Sequence, residues 1–473
     1  MSRATHSAAF PEPVDELARH HLLRADRQED LCFALWRPSR GLTRKSALIE
    51  RLILPGSLER NVHGNASFEP AYFERALAEA AAAGAGLALL HSHPRGRGWQ
   101  SMSEDDVAAE LGHAAAVFGA TDLPFIGLTL ANDGAWSARF WERTAPRSYM
   151  RFDCATVRVV GERLRVTYMD QLARPPRATS SQIRTVSAWG PKKHADLVRL
   201  HVGLVGAGSV GGFIAEGLAR TGFEDTTGID YDTVEQRNLD RLLYATSRDI
   251  GLLKIEVLAK HLEGSATAQS FNFQAVSRAV YEEDGYRAAL DCDVIVACVD
   301  RPWGRHVLNA IAYAHLIPVI DGGIFVRSNR HAELVAADWR AHTVGVGHRC
   351  MECIGQYDSG LVQLEREGRL DDPTYIEGLA KDHPLRAREN VFAFSMACAS
   401  LQLLQLLNLA LAPLGQANSG EQLYHFVGSH MEPAHLRACK SECLFPSLIA
   451  LGDHSPFVVT VPNIARDQPE ISS

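Results

Sequence analysis

The chain has 473 residues, 46% hydrophobic and 22% charged, with 56 Asp and Glu against 48 Lys and Arg for a net charge of -8. That length holds two or three domains of ordinary size, each able to bury a real core, and a mildly acidic chain without a basic stripe argues against nucleic acid as a partner. Met1 to Arg19 lacks an apolar signal core and no window approaches the roughly eighteen apolar residues that cross a bilayer, so no membrane partner is expected. The location expected is the cytoplasm, where nine cysteines serve as thiols or metal ligands rather than disulfides.

In chain order, Asp30 to Pro38 alternates apolar with mixed side chains, as a strand does. Tyr72 to Ala83 is an alanine-rich helical run closed by Gly84 and Gly86, and Leu87 to His93 is a short buried strand. Met102 to Val117 returns to helical periodicity, and Leu123 to Leu130, Trp136 to Trp141 and Val157 to Tyr168 add strand-like segments. Residues 1–172 therefore read as one mixed α/β domain. The proline-rich polar stretch Arg174 to Ser181 marks a linker, within a lead-in covering 173–200. From Val202 the rhythm becomes strand, glycine turn, long helix, strand, so 201–473 reads as a parallel sheet with crossover helices, an α/β fold throughout. The apolar run Phe392 to Leu411 is broken by Ser395, Ser400, Gln402, Gln405 and Asn408, which predicts a buried helix.

Two stretches carry chemistry. On a strand, residues two apart share a face, so His91 and His93 point one way and Ser92 the other. Pro94 ends the strand, a glycine-rich loop follows, and Ser103 and Asp106 fall at a helix start. Asp106 can swing back to complete a His, His, Asp set, leaving the fourth position of a tetrahedral zinc to water, the mark of a catalytic site. Ser103 with a carboxylate three residues on is also a helix-capping pattern, and paired histidines are also ordinary core or surface residues.

As an ordered string, Gln28 to about Trp141 resembles the JAB/MPN metalloproteases, the JAMM-motif deubiquitinating isopeptidases and their bacterial relatives, whose pattern is an upstream glutamate, His-x-His-Pro, then Ser-x-x-Asp. The resemblance implies zinc held by His91, His93 and Asp106, an oxyanion held by Ser103, and Glu29 as general base at the opening of a strand. The sequence departs from the family in three ways: Asp30 adjoins Glu29, the usual glycine after it is missing, and the loop from His93 to Ser103 is two residues longer than the commonest spacing. Ser101 with Glu104 fits that spacing but supplies the wrong acid.

The second stretch opens with the strand Val202 to Val205 and runs through Gly206-x-Gly208-x-x-Gly211 into a helix over Phe213 to Arg220. Such glycines allow a tight turn and let a helix N-terminus face phosphates, with an acid about twenty positions on for the ribose, here Asp230. Alone, this serves a dehydrogenase equally well. The string Asp230-Tyr231-Asp232, Asn238-Leu239-Asp240-Arg241, Gly251-Leu252-Leu253-Lys254, Cys298-Val299-Asp300 and Arg305 resembles the adenylating enzymes headed by ubiquitin-activating enzyme and ThiF/MoeB. It covers Arg184 to Cys443 and implies a Rossmann-like domain in which Asp230 holds the ribose, Asn238, Arg241 and Lys254 the phosphates of ATP, and Asp300 a magnesium ion, with Asp232 lining the site. Asp240 replaces a common asparagine.

Cys350-x-x-Cys353 and Cys439-x-x-x-Cys443 pair two knuckles that suit a structural zinc, with His348 nearby. Of the five other cysteines only Cys398 lies downstream of the nucleotide residues, inside the apolar helix, where a thiol is normally packing rather than nucleophile. The polar segment Gln356 to Asn390 sits where the family has a crossover loop over its substrate tail and holds no cysteine.

The function expected is a peptidase fused to an adenylyltransferase, both acting on a ubiquitin-like partner. Relatives of this arrangement imply a conjugating enzyme nearby, and fold analogy implies a homodimer. Alternatives are adenylation of a sulfur-carrier protein in cofactor or amino-acid synthesis, a catalytically silent scaffold that docks ubiquitin-like proteins and, last, a dehydrogenase.

Overall fold

The protein is described here from a computed structural model covering residues 5–63, 65–331, 333–371, 390–415, 420–433, 438–456 and 460–466. The chain folds as two compact units, the first running to Arg174 and including Ala314–Leu316 and Ser447–Ser455, the second holding the rest.

The first unit is built on a nine-stranded sheet. Its strands are β1 (Thr5–Pro11), β2 (Leu31–Arg40), β3 (Arg44–Ile53), β6 (Gly86–His93), β7 (Phe125–Ala131), β8 (Trp136–Ala145), β9 (Ser148–Asp153), β10 (Thr156–Val160) and β11 (Leu164–Tyr168), with β4 (Arg60–His63) and β5 (Asn65–Phe68) forming a separate ribbon. The order is β11-β10-β1-β3-β2-β6-β7-β8-β9. Helices α1 (Glu12–Leu22), α2 (Pro70–Ala83) and α3 (Glu104–Thr121) cover it.

Because side chains alternate along a strand, β2 feeds two cores at once. Cys32, Ala34 and Trp36 pack with Phe10 and Trp136, while Leu31, Phe33 and Leu35 pack with Tyr72 and Trp141 from α2 and β8. Burial on both faces explains why β6 reads as a short buried strand, and it makes β2 buried along nearly all its length although its sequence alternates apolar with mixed side chains. Gly86 opens β6 because a Cβ there would lie 2.1 Å from the indole nitrogen of Trp36.

Three expectations need correction. Val157 to Tyr168 is not one strand: β10 and β11 pair antiparallel about a turn at Gly161, where Gly161 N–H donates to Arg163 O at 3.2 Å. The helix expected from Met102 begins at Glu104, because Ser103 caps it, and it continues to Thr121, where Asp122 turns left-handed at φ 56°. β2 begins at Leu31, so Glu29 lies in the loop before the strand.

The second unit has an eight-stranded sheet ordered β14-β13-β12-β15-β16-β17-β18-β19. Strands β12 (Val202–Val205), β13 (Asp225–Ile229), β14 (Asn272–Val276), β15 (Val294–Ala297) and β16 (Val319–Ser328) are parallel. β17 (Leu334–Val344), β18 (Gln422–His425) and β19 (His430–Pro433) extend it antiparallel. Helices α4 (Ile183–Trp189) and α5 (Pro191–Val198) precede β12, α6 (Ser209–Thr221) follows it, and α7 (Lys254–Glu263), α8 (Glu283–Ala289) and α9 (Pro302–Ala314) join later strands.

The helix Phe392–Leu411 is long and apolar enough to cross a membrane, yet half of it is buried against α6, β16 and β17. Its polar residues bond inward: Gln402 Nε2 donates to Ala297 O at 2.9 Å and Ile320 O at 3.1 Å, and Gln405 Nε2 to Gly420 O at 3.0 Å. Buried amides so satisfied are tolerated in a core helix.

Candidate metal and nucleotide sites

The first site lies at the end of β6. His91 Nε2 and His93 Nε2 are 3.3 Å apart, and Asp106 sets Oδ1 3.7 Å from the first and Oδ2 3.7 Å from the second. All three donor atoms lie within 4.8 Å of one another. Ligand bonds of about 2.0–2.1 Å place the donors of a tetrahedral zinc about 3.3–3.4 Å apart, so this set fits the ion. Ser92 points the other way, its hydroxyl accepting Asp30 N–H at 3.1 Å.

The capping pattern and the ligand pattern are one arrangement. Ser103 Oγ accepts Asp106 N–H at 3.1 Å and Ser103 N–H donates to Asp106 Oδ2 at 3.0 Å, which aims the carboxylate at the histidines. Asp106, rather than Glu104, is the acid gathered with His91 and His93.

Burial, with help from Arg139, pushes the His91 pKa down to about 3, giving a neutral ring suited to a metal. The hydrogen bond to Asp106 raises His93 and burial opposes it. Behind His91, Thr129 Oγ1 lies 3.3 Å from Nε2 and accepts Arg139 Nη1 at 2.6 Å. Arg139 forks onto Glu110, its Nε reaching Oε2 at 2.9 Å, and Trp141 Nε1 donates to the same oxygen at 2.7 Å.

The neighbouring acids Glu29 and Asp30 divide cleanly. Asp30 is fully buried and bound by Arg60 Nε at 2.7 Å, Arg24 Nη1 at 3.1 Å and Leu31 N–H at 2.8 Å. Glu29 is half-buried; burial raises its pKa, while the charge of His93 lowers it and that of Asp106 raises it. Of the two acids, Glu29 is therefore the one whose charge is felt by His93 and Asp106.

In the second unit, Gly206 turns at φ 97°, where a Cβ would lie 2.6 Å from Cys298 O, and a Cβ on Gly211 would lie 2.0 Å from Gly206 O. Gly208 faces open space and gives α6 no side-chain cap, so the first-turn N–H groups are left for an anion. Asp230 braces this turn, Oδ2 accepting Ala207 N–H at 2.7 Å and Oδ1 accepting Asp232 N–H at 2.8 Å. Burial raises its pKa to about 6, with Asp232 adding and Lys254 opposing. Each oxygen keeps a lone pair for a hydroxyl.

Lys254, first residue of α7, sets Nζ 2.8 Å from Asp232 Oδ2. Arg241 Nη1 donates to Asp240 Oδ1 at 3.0 Å and Arg237 O at 2.6 Å, and Asn238 Oδ1 accepts Glu235 N–H at 3.0 Å. Asp300 is exposed in the loop after β15, two residues past the Cys298 backbone that packs on Gly206. Arg305 instead forms a buried pair with Asp321, Nε to Oδ1 at 3.4 Å. Sequence reasoning missed Ser209, at the start of α6, which gathers Asn390 Nδ2 at 2.8 Å and Ser395 Oγ at 3.0 Å. Of the expected crossover segment, 372–389 lies outside the described residues.

Cys350, Cys353, Cys439 and Cys443 bring their sulfurs within 4.8 Å of one another, Cys350 Sγ and Cys443 Sγ at 3.6 Å. Hydrogen bonds, that from Cys350 foremost, pull the Cys439 thiol down, while burial pushes its neighbour Cys443 up. His348 is not in this set and contributes its carbonyl to Tyr313 Oη at 2.8 Å. Cys398 is fully buried beside Gly323 O and Arg340 O, and burial pushes its thiol up to about 12.

The ThiF family profile matches residues 179–444, more than half of the chain. The chain belongs to the ThiF family. Among similar proteins, SAMP-activating enzyme E1 of Haloferax volcanii is 27% identical over 31% of this chain and 53% of that protein. Ubiquitin-like modifier-activating enzyme 5 of Drosophila willistoni is 29% identical over 26% of this chain and 32% of its own. The tRNA threonylcarbamoyladenosine dehydratase of Haemophilus influenzae is 38% identical over 15% of this chain and 28% of its own. The chain thus spans about half or less of the length of these relatives. Escherichia coli MccB aligns at a TM-score of 0.43 and 16% identity, covering 59% of this chain and 74% of that one. The ThiF match begins at residue 179, so the first site stands on its geometry.

Proposed function

We propose that the chain is a two-site enzyme of ubiquitin-like protein chemistry. The ThiF-family unit adenylates the C-terminal carboxylate of a ubiquitin-like protein with ATP and magnesium, and the first unit, a JAB/MPN domain on this reading, is a zinc peptidase or isopeptidase for the same class of tail. The carrying observation is the gathering of Lys254, Asp232 and Asp230 at the glycine turn, in the same chain as His91, His93 and Asp106 about one point.

In adenylation a carboxylate oxygen bonds to the α-phosphorus, the bond to the bridging oxygen breaks and pyrophosphate leaves. Lys254, Arg241 and Asn238 meet the charge that shifts onto the leaving phosphates, Asp230 takes the ribose hydroxyls, and Asp300 holds magnesium. In hydrolysis, His91, His93 and Asp106 would hold a zinc ion, which when bound would supply a water of pKa about 7. Glu29 would be the base that takes a proton from the attacking water and returns it to the departing amine, and Ser103 would donate to the oxyanion. The cysteine set is a closed structural zinc site. The reading places both activities in the cytoplasm, in a homodimer, with a conjugating enzyme as downstream partner.

A second reading, adenylation of a sulfur carrier with transfer to a separate sulfurtransferase, is favoured by one feature: the inert setting of Cys398. The name of the tRNA-modifying relative raises RNA as a substrate, but a net charge of -8 speaks against a polyanion.

The test is pyrophosphate exchange that depends on a candidate modifier, together with cleavage of that modifier carrying a C-terminal extension. Exchange should vanish in Lys254→Ala and cleavage in His91→Ala. Exchange that persists in the first variant sinks the adenylation reading; cleavage that persists in the second sinks the peptidase reading.

A further inference from the structure

We propose that Arg466 is a binding residue for the base of ATP, held against Tyr231 by the segment Thr460–Arg466 so that the two side chains form a stacking wall at the adenosine end of the nucleotide site. This deepens the adenylation reading and rests on it.

The sheet sets the direction in which a nucleotide lies. β12, β13 and β14 are neighbouring parallel strands, and their ends step outward from the glycine turn: Gly206 N–H donates to Ile229 O at 2.9 Å, and Asp230 N–H to Val276 O at 3.1 Å. Phosphates on the turn after β12 and a ribose on Asp230 after β13 therefore direct the base towards the loop after β14. Tyr231 follows the ribose acid, and its backbone is fixed from the next residue, since Asp232 N–H donates to Asp230 Oδ1 at 2.8 Å and Asp232 O accepts Lys254 N–H at 2.8 Å.

The loop after β14 carries Glu282, a fully buried carboxylate. Its Oε2 accepts Ala279 N–H at 2.6 Å and its Oε1 accepts Ile464 N–H at 2.6 Å. Arg466 forks onto both oxygens, Nη2 to Oε2 at 2.7 Å and Nη1 to Oε1 at 3.1 Å. Further bonds tie the segment down: Val461 N–H donates to Tyr281 O at 3.0 Å, Glu283 N–H to Val461 O at 2.8 Å, and Asn463 Nδ2 to Asp284 Oδ2 at 2.6 Å. The result is a guanidinium 4.2 Å from the centre of the Tyr231 ring. Glu282 occupies its edge and Tyr231 lies against it, while 27% of the side chain stays exposed. Tyr281, beside Glu282, stacks on Trp303 with ring centroids 3.7 Å apart and planes 5° apart, which joins this loop to the start of α9, close after Asp300. A planar cation backed by an aromatic ring is a surface on which a purine stacks.

The experiment uses the full chain, with calorimetry of ATP and of inorganic tripolyphosphate, which reports the phosphate turn without a base. Arg466→Ala should weaken ATP by about 3- to 30-fold, the scale of one cation–π stack, and leave tripolyphosphate unchanged. Arg466→Lys keeps a charge for Glu282 but no planar face, so it should show the same loss. Tyr231→Leu leaves the Arg466–Glu282 pair in place and should also reproduce it. If Lys254→Ala loses ATP while Arg466→Ala binds it as tightly as the unaltered chain, this inference fails alone. It fails equally if Arg466→Ala loses ATP and tripolyphosphate together, which would make the segment a structural strap, or if lysine restores full affinity. If the unaltered chain binds no ATP, the adenylation reading fails and takes this inference with it.

Discussion

The metal triad and the nucleotide site are assembled by opposite means. His91 and His93 sit on a strand flanked by β2 and β7, and Asp106 is fixed in the first turn of α3 by a reciprocal cap. Regular elements hold all three ligands, and no residue outside the set neutralises them at short range among the interactions described. At the nucleotide site Lys254 opens α7, Arg241 lies in the loop before it, and both cations are already paired, Lys254 with Asp232 and Arg241 with Asp240. On the proposed reading the first site receives an ion with its donors already gathered, whereas the second would exchange its internal partners for phosphates and magnesium. A preorganised site tolerates loss of a ligand without refolding; a self-neutralised one leaves charge behind.

The largest effect expected from this contrast is on the support of the triad rather than on the triad. Arg139 and Glu110 are both at least 98% buried and satisfied by each other, Thr129 and Trp141. Removing one charge strands the other, so Arg139→Met should cost roughly 3–5 kcal/mol of stability. Urea unfolding checks it; a loss under about 1 kcal/mol would overturn the view that the buried pair depends on both charges.

Next comes Lys254→Ala. It deletes the charge that offsets Asp232 beside Asp230 and the charge that would meet the leaving phosphates. Pyrophosphate exchange should fall by at least about 10²- to 10³-fold, the scale of losing one preorganised electrostatic contact. A drop confined to ATP affinity would place the lysine in ground-state binding instead.

A smaller and sharper contrast separates the adjacent acids. Asp30→Asn breaks a buried carboxylate from Arg24 and Arg60 and should cost roughly 2–3 kcal/mol. Glu29→Gln should change stability by no more than about 0.5 kcal/mol, yet abolish hydrolysis. The reverse pattern would make Asp30 the base.

How much was legible follows from where the information resides. Strand alternation made the shared face of His91 and His93 visible, and cap chemistry made Ser103 and Asp106 visible, because both are properties of neighbours in sequence. The supports were invisible for the same reason: Thr129 meets His91 only because β7 pairs with β6. Glu110 did leave a trace, a charge on the helical stripe it shares with Ala114 and Val117, the signature of a buried acid awaiting a partner. Val157 to Tyr168 misled because Gly161 looked like a residue inside a strand, while its place beside Glu12 is a tertiary fact. The nucleotide residues were legible as an ordered string, but their mutual pairing was not.

The smallest effect expected is at Cys398, and it discriminates between the two fates of an adenylate. A thiol pushed up to about 12 is a thiolate in only roughly one molecule in 10⁵ at neutral pH, so it makes a poor nucleophile without a rearrangement of the helix Phe392–Leu411. Its sulfur lies against the carbonyls of Gly323 and Arg340, 3.9 and 3.7 Å away, which packs it but gives no base to take its proton. Cys398→Ala should therefore cost about 1 kcal/mol of stability, the scale of a small buried truncation, and leave modifier-dependent exchange intact. A non-reducing gel of the enzyme with ATP and modifier is the decisive measurement. A thiol-labile adduct that forms on the unaltered chain and is lost in Cys398→Ala would show that the helix opens during turnover and that activation proceeds to a thioester; absence of any such adduct, with exchange preserved, directs the adenylate to an acceptor outside this chain.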